Sequence, residues 1–364
     1  MKSTRNSNIE LLRILSMLMV ETLHCLAKSG ALYDQTGSTA LFFWWIEALC
    51  ICAVDVFVLI TGYFSVNAPF RAQRIWRVLL IVWSYSFVTS LITACLSGNA
   101  LTVNALLRML IPILSKKYWF INAWLALVIL SPYLNTLIRS LSEKQFRFLL
   151  VFLLLTMVIR PSVLPRTWGQ DSSMGLSVFF FIVLYLTAAW FRLYGKPLRI
   201  SPVWLRVVFL VLSLVMLFSR SLMMRLGASD QTAMRLYGYD SVLSVAQAVT
   251  LLLIGLNRKP LSDRFSSLVA KLAKNSLAVY IIHFSMNPII WTRFLHVERY
   301  VPGIISGFFA VVCSVILVYL ACACIEELRL RLFLRLHIGN RIEPLLERWN
   351  TVWSASQTAA NHSA

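Results

Sequence analysis

Apolar stretches of bilayer-crossing length recur along this chain, with short basic loops between them. A membrane helix needs ~20 apolar residues at ~1.5 Å rise each. Stretches that meet or approach this length fall at 9–27, 40–65, 74–96, 118–138, 146–160, 174–194, 203–219, 240–257, 275–292 and 301–325. In lipid a spanning segment has to satisfy its own backbone polar groups, which leaves the helix as the form open to such segments. About ten of them predict an all-α polytopic membrane protein. Charged residues make up 13% of the chain, against about 25% in soluble domains, and the mean hydropathy is +0.74. A shorter piece at 103–114 reads as re-entrant or interfacial.

The net charge of +19 is spread through the loops. That pattern fits topology signals and anionic lipid headgroups better than nucleic acid. With the N-terminus inside, about twice as many Lys and Arg fall on the cytoplasmic side as on the other. Both termini are therefore expected to be cytoplasmic. Arg13 and Glu21 interrupt the first apolar run, so it reads as a retained helix rather than a cleaved signal. Residues 1–325 form one integral-membrane domain in this reading. Residues 326–364 form a basic, partly amphipathic tail on the inner membrane surface, disordered from 351 onward. The seven cysteines lie in or beside apolar spans and read as small buried hydrophobes. No metal site has credible ligand spacing.

Against this apolar background a few polar residues stand out. The first span carries Arg13, Glu21 and His24. Arg13 and His24 are three turns apart on nearly one helix face, ~16 Å along the axis. Each ionisable group in a membrane helix costs roughly 2.5–3.5 kcal/mol on insertion scales, so such groups usually face protein or a watery cavity. Three in one span outline a polar pathway with a titratable imidazole near the outer face. The second span carries Glu47 and, near mid-membrane, Asp55, which needs a partner that Arg13 or His24 could supply. Arg71, Arg74 and Arg77 recur every three residues at the start of the third span. They read either as a positive-inside anchor or as an anion site, because planar guanidinium groups suit phosphate oxygens. Tyr118 and Trp119 open the fourth span, as part of an interfacial aromatic belt or as a sugar-stacking surface. Pro132 is expected to end or kink that span. Asn275-Ser276 reads as a helix cap, and the helix it opens places His283 at a depth comparable with His24. The loop 220–239 is polar, basic and aromatic; it reads as an ordinary solvated loop or as an acceptor-facing surface.

These residues, in this order, resemble the acyltransferase family 3 integral-membrane acyltransferases. The family's Arg, ten residues, then His is met by Arg13 and His24 in LLRILSMLMVETLHC. Its second-helix Asp-x-Phe-Phe-x-x-Ser-Gly-Phe/Tyr pattern is met by DVFVLITGY, with Asp55, Phe57, Gly62 and Tyr63 kept and Val58 and Thr61 as departures. The arginine run, WFINAWLALVILSPYLN and LAVYIIHF resemble further family segments. The layout is similar to that of bacterial surface-glycan O-acetyltransferases in the cytoplasmic (inner) membrane.

The resemblance implies a cytoplasmic acyl-CoA donor, acetyl-CoA in the commonest case, and a glycan hydroxyl as acceptor at the outer face, such as O-antigen or a lipid-linked sugar. Arg71, Arg74 and Arg77, with Arg13, would then dock the anionic nucleotide. His24 would serve as general base or pass through an acyl-imidazole. Glu21 or Asp55 would fix its tautomer, and His283 would hold the acceptor or the thioester carbonyl. With such an acceptor, the sugar-stacking alternative read from the sequence for Tyr118 and Trp119 would have them contact the sugar. Two other readings fit the polar membrane residues: a proton-coupled transporter and a lipid-linked glycan flippase or polymerase.

Overall fold

The structure, a computed structural model, describes residues 6–97, 102, 107, 109, 111–113, 117–165, 173–195, 200–287, 289–336 and 347. Among them the regular elements are all helical. Most of the 103–114 piece, and the tail beyond 336 apart from residue 347, lie outside the described residues.

The principal helices, in chain order, are α1 (Ser7–Lys28), α2 (Gly37–Cys50), α3 (Ala53–Ser65), α4 (Ala72–Ser97), α5 (Trp119–Ser140) and α6 (Glu143–Leu154). They are followed by α7 (Val178–Leu193), α8 (Pro202–Arg225), α9 (Val242–Asn257), α10 (Asp263–Ala273), α11 (Ser276–Ser285) and α12 (Ile304–Arg335). Eight helical segments among the described residues are long and apolar enough to cross a membrane. They correspond to eight of the ten expected spans. The shorter α7 and the charge-bearing α1 correspond to the other two.

The hub is α1. It packs against α2, α3, α9, α10, α11 and α12, and Ile9, Leu12, Met17, Val20 and Leu23 are buried along it. Enclosure by protein explains how this helix tolerates ionisable residues that lipid would penalise. Its start is fixed by the Asn6 side chain, which accepts from the amides of Asn8 (3.1 Å) and Ile9 (3.4 Å). Asn8 Nδ2 in turn donates to the carbonyls of Arg258 and Lys259 after α9. At the periphery, α8 presents Val203, Trp204 and Phe218 outward, as a lipid-facing helix should.

Several elements differ from the sequence reading. The second span is broken: α2 ends at Cys50 and α3 begins at Ala53. No Pro or Gly sits at this break, so nothing local announces it. Pro132 does not end its helix, because α5 runs on to Ser140. Proline has no amide proton for the Val128 carbonyl, and the Ser131 hydroxyl donates to that carbonyl instead, at 2.8 Å. The short fifth span lengthens to 143–163 through a π-helical turn at Leu155–Ile159. The capping box of Ser142 and Gln145 sets its start.

The ninth span also shifts. It begins at Asp263, turns at Lys274–Asn275 and ends at Ser285. Asn275 makes no side-chain cap; its Nδ2 donates to the Ala323 carbonyl on α12 at 3.3 Å. At the chain's far end, α12 crosses residues 325 and 326 without a break.

Candidate active site

The packing of α1 against α11 brings two histidines together. Nδ1 of His24 lies 2.8 Å from Nε2 of His283. Nδ1 of His283 lies 2.7 Å from the Val279 carbonyl oxygen, one turn back on its own helix. A carbonyl only accepts, so Nδ1 of His283 carries a proton. With both rings neutral, which adds no net charge to a buried pair, Nε2 of His283 is then an acceptor. Nδ1 of His24 must donate to it. The chain of bonds therefore ends at Nε2 of His24, a bare nitrogen with a free lone pair. His283 is fully buried, while His24 is half-buried and lines a cavity.

Glu21 stands behind this pair rather than beside His24. Its Oε1 is 3.7 Å from Nδ1 of His283, and neither carboxylate oxygen has a hydrogen-bond partner. The hydrogen-bond partner of His24 Nδ1 is thus His283, and neither Glu21 nor Asp55 bonds the His24 ring. Asp55 is fully buried in the first turn of α3, and both its oxygens lack hydrogen-bond partners. Neither Arg13 nor His24 pairs with it, contrary to the sequence expectation. The place of Asp55 in the first turn of a helix supplies the favourable end of the helix dipole.

The cavity at His24 has a volume of about 190 Å³, far above the ~15 Å³ that admits one water. Glu47 from α2, Phe57 from α3, Trp119 from α5, Tyr239 from the loop before α9, and Tyr280 from α11 share its wall with His24. The break between α2 and α3 contributes Ile51 to the same wall. Trp119 packs against Tyr239, ring centroids 5.6 Å apart. Tyr118 is not in this wall. It is fully buried, with its hydroxyl 2.6 Å from Ser285 Oγ and its ring behind Phe284, whose ring packs on His24. Tyr118 therefore supports the histidine pair from behind and does not belong to an exposed aromatic belt.

A second, larger cavity of about 680 Å³ opens between the α3–α4 connection and the end of α5. Arg71, Arg74, Ser131, Asn135, Thr136 and Arg139 are among its lining residues. Arg77 is exposed and is not in this lining. Arg13 bonds Glu10 one turn before it on α1, at 2.9 Å, and its charge reaches Arg74 together with that of Arg71.

Asn135, which falls in the family-like segment WFINAWLALVILSPYLN, and Arg139 had no site role from the sequence alone. Ser131, Asn135 and Arg139 recur every four residues, the spacing of one helix face, and that polar stripe in an apolar span was the available signal. Asn135 Nδ2 donates to the Ser65 carbonyl (3.0 Å) and its Oδ1 accepts from the Tyr185 hydroxyl (2.7 Å). Tyr185 sits on α7, which approaches α3 closely at Gly62. A Cβ at that glycine would lie 2.7 Å from the Tyr185 carbonyl oxygen.

A histidine pair at one cavity and arginines lining another thus lie within a bundle of helices long and apolar enough to cross a membrane, which makes the chain a polytopic membrane protein with two polar sites. The acyltransferase-domain family model matches residues 6–323, so the chain belongs to acyltransferase family 3 and is a membrane acyltransferase. No curated protein and no solved structure matches it.

Proposed function

We propose that this protein moves an acyl group, acetyl in the first instance, from cytoplasmic acyl-CoA to a hydroxyl of an extracytoplasmic or lipid-linked glycan such as O-antigen. It works in the bacterial inner membrane with both termini in the cytoplasm. The observation that carries the reading is the bond chain from the Val279 carbonyl through His283 to His24. It leaves one basic nitrogen, Nε2 of His24, in a site lined by a cavity.

Nε2 of His24 takes the acceptor's hydroxyl proton as the acceptor oxygen attacks the thioester carbonyl carbon. The new C–O bond forms, the C–S bond breaks, and the sulfur leaves with that proton as the free thiol of CoA. The hydrogen bond to His283 holds the ring and supports the transient imidazolium, with Glu21 behind it. The nucleotide phosphates of the donor are read by Arg71, Arg74 and Arg139 in the second cavity. Arg13 adds to the positive potential there. The ~16 Å between Arg13 and His24 along α1 is of the order of an extended pantetheine arm, so a donor whose nucleotide docks near the level of Arg13 can bring its thioester to the base.

The test is acetyl-CoA consumption by the purified protein in nanodiscs, with lipid-linked O-antigen as acceptor. Free thiol and glycan-bound acetyl ester are expected to appear in equal amounts. Ester formation that needs no acyl-CoA would overturn the donor assignment. Thiol release with no ester in the glycan would overturn the acceptor assignment.

A further inference from the structure

Two residues in the wall of the His24 cavity each carry a side-chain oxygen with no partner inside the protein. Oε2 of Glu47 is buried without a hydrogen bond, and so is the hydroxyl of Tyr280. Both residues line the cavity. Tyr280 is 5% exposed and precedes His283 by one turn on α11. Glu47 lies in α2 within FFWWIEALC, where a carboxylate costs roughly 2.5–3.5 kcal/mol to insert. No described Lys, Arg or His pairs with it.

Orphaned groups of this kind are expensive in an apolar interior, and a ligand toward which both side chains turn on binding relieves that cost. The rest of the wall is aromatic: Trp119 and Tyr239 face the same space, with rings inclined at 32°. A cavity with apolar ring faces and a few placed polar groups fixes a ligand's orientation. A sugar ring presents C–H faces to aromatics and hydroxyls at its rim. A carboxylate accepts from hydroxyls, and a phenol can give or accept.

We propose that Glu47 and Tyr280 recognise a second hydroxyl of the acceptor, next to the one that His24 deprotonates. The substrate class is then a sugar carrying at least two neighbouring free hydroxyls, rather than a simple alcohol. This rests on the acyl-transfer reading above and deepens it. A site built to bond a hydroxyl rejects analogues that lack it far more strongly than an apolar pocket rejects an extra one.

The experiment uses the full-length protein in nanodiscs with acetyl-CoA, and as acceptors the methyl glycosides of glucose, galactose and mannose, their monodeoxy analogues, and octanol. Wild type, Glu47→Ala, Glu47→Gln and Tyr280→Phe are compared. Tyr280→Phe removes one oxygen and Glu47→Gln keeps the shape, so both guard against a folding artefact. Expected is a rise of about tenfold or more in hexoside KM for Glu47→Ala and Tyr280→Phe, with the acetyl-CoA KM unchanged. Glu47→Gln falls between Glu47→Ala and wild type. On the deoxy analogue that wild type uses poorly, the variants and wild type converge. Unchanged hexoside KM in both Glu47→Ala and Tyr280→Phe would overturn the proposal, as would transfer to octanol but to no hexoside. Those two results leave acyl transfer standing. Failure of wild type to consume acetyl-CoA with any acceptor would instead overturn the reading beneath it, and the proposal with it.

Discussion

Nδ1 of His24 and Nε2 of His283 lie 2.8 Å apart although they are 259 positions apart in the chain. On the acyl-transfer reading proposed above, that bond gives His283 the role of positioning His24. Its acceptor nitrogen sets which nitrogen of His24 keeps the lone pair. His283→Phe removes the acceptor, so the His24 ring loses its fixed tautomer and orientation. We expect kcat to fall about 10²-fold or more with the acetyl-CoA KM unchanged. His283→Gln offers an amide oxygen to the same N–H and should recover part of the loss. Protonation of His24 removes its lone pair, so the wild-type rate is lost toward acid pH and held above it. His283→Phe should alter that acid limb, which a purely structural defect would leave in place. The measurement is a pH–rate profile for the three proteins at matched amounts.

The arginines should separate by position. Arg74 and Arg139 line the large cavity and Arg77 does not, although it belongs to the same run of three in the sequence. Arg74→Ala and Arg139→Ala are expected to raise the acyl-CoA KM about tenfold each, the scale of a lost charge-assisted hydrogen bond. Arg77→Ala should leave it unchanged. Titration of each variant with acetyl-CoA at saturating acceptor reads this directly. Equal losses in all three would place the donor's phosphates elsewhere.

Gly62 sets the distance between α3 and α7. A Cβ there would meet the Tyr185 carbonyl oxygen at 2.7 Å and its Cα at 2.8 Å, both backbone atoms that cannot rotate away. Gly62→Ala is expected to cost about 1–3 kcal/mol by overpacking and to lower the thermal midpoint in detergent. Because Tyr185 holds Asn135 at the arginine-lined cavity, the same variant should also raise the acyl-CoA KM. Tyr185→Phe should reproduce the second effect without the steric one, leaving Asn135 Oδ1 short of a donor.

The sequence makes the membrane passes legible because lipid leaves the backbone no alternative to helices. The unusual content of α1 was legible for a related reason: Arg13, Glu21 and His24 contradict an apolar span, and such contradictions mark function. His283 stood out in the same way. What the sequence does not carry is which side chains meet. Glu21 follows the helix face toward His283 rather than His24, and only the packing of α1 against α11 decides that. Tyr118 and Trp119 are neighbours in sequence but end in different places, one behind Phe284 and one in the cavity wall. The break at Ile51–Cys52 has no local signal and depends on the helices around it. The Ser131, Asn135 and Arg139 stripe was readable in principle. It was obscured by Pro132, which invited a helix end where a serine hydroxyl in fact covers the orphaned carbonyl.

The proposed role of His24 is to move the proton during acyl transfer from CoA. Its most direct test gives radiolabelled acetyl-CoA to inside-out membrane vesicles containing wild type or His24→Gln at equal abundance, and follows label into glycan. Label entering glycan with wild type, and falling by about 10²-fold or more with His24→Gln, is the expected result. Equal labelling by the two proteins would contradict the role of His24 outright.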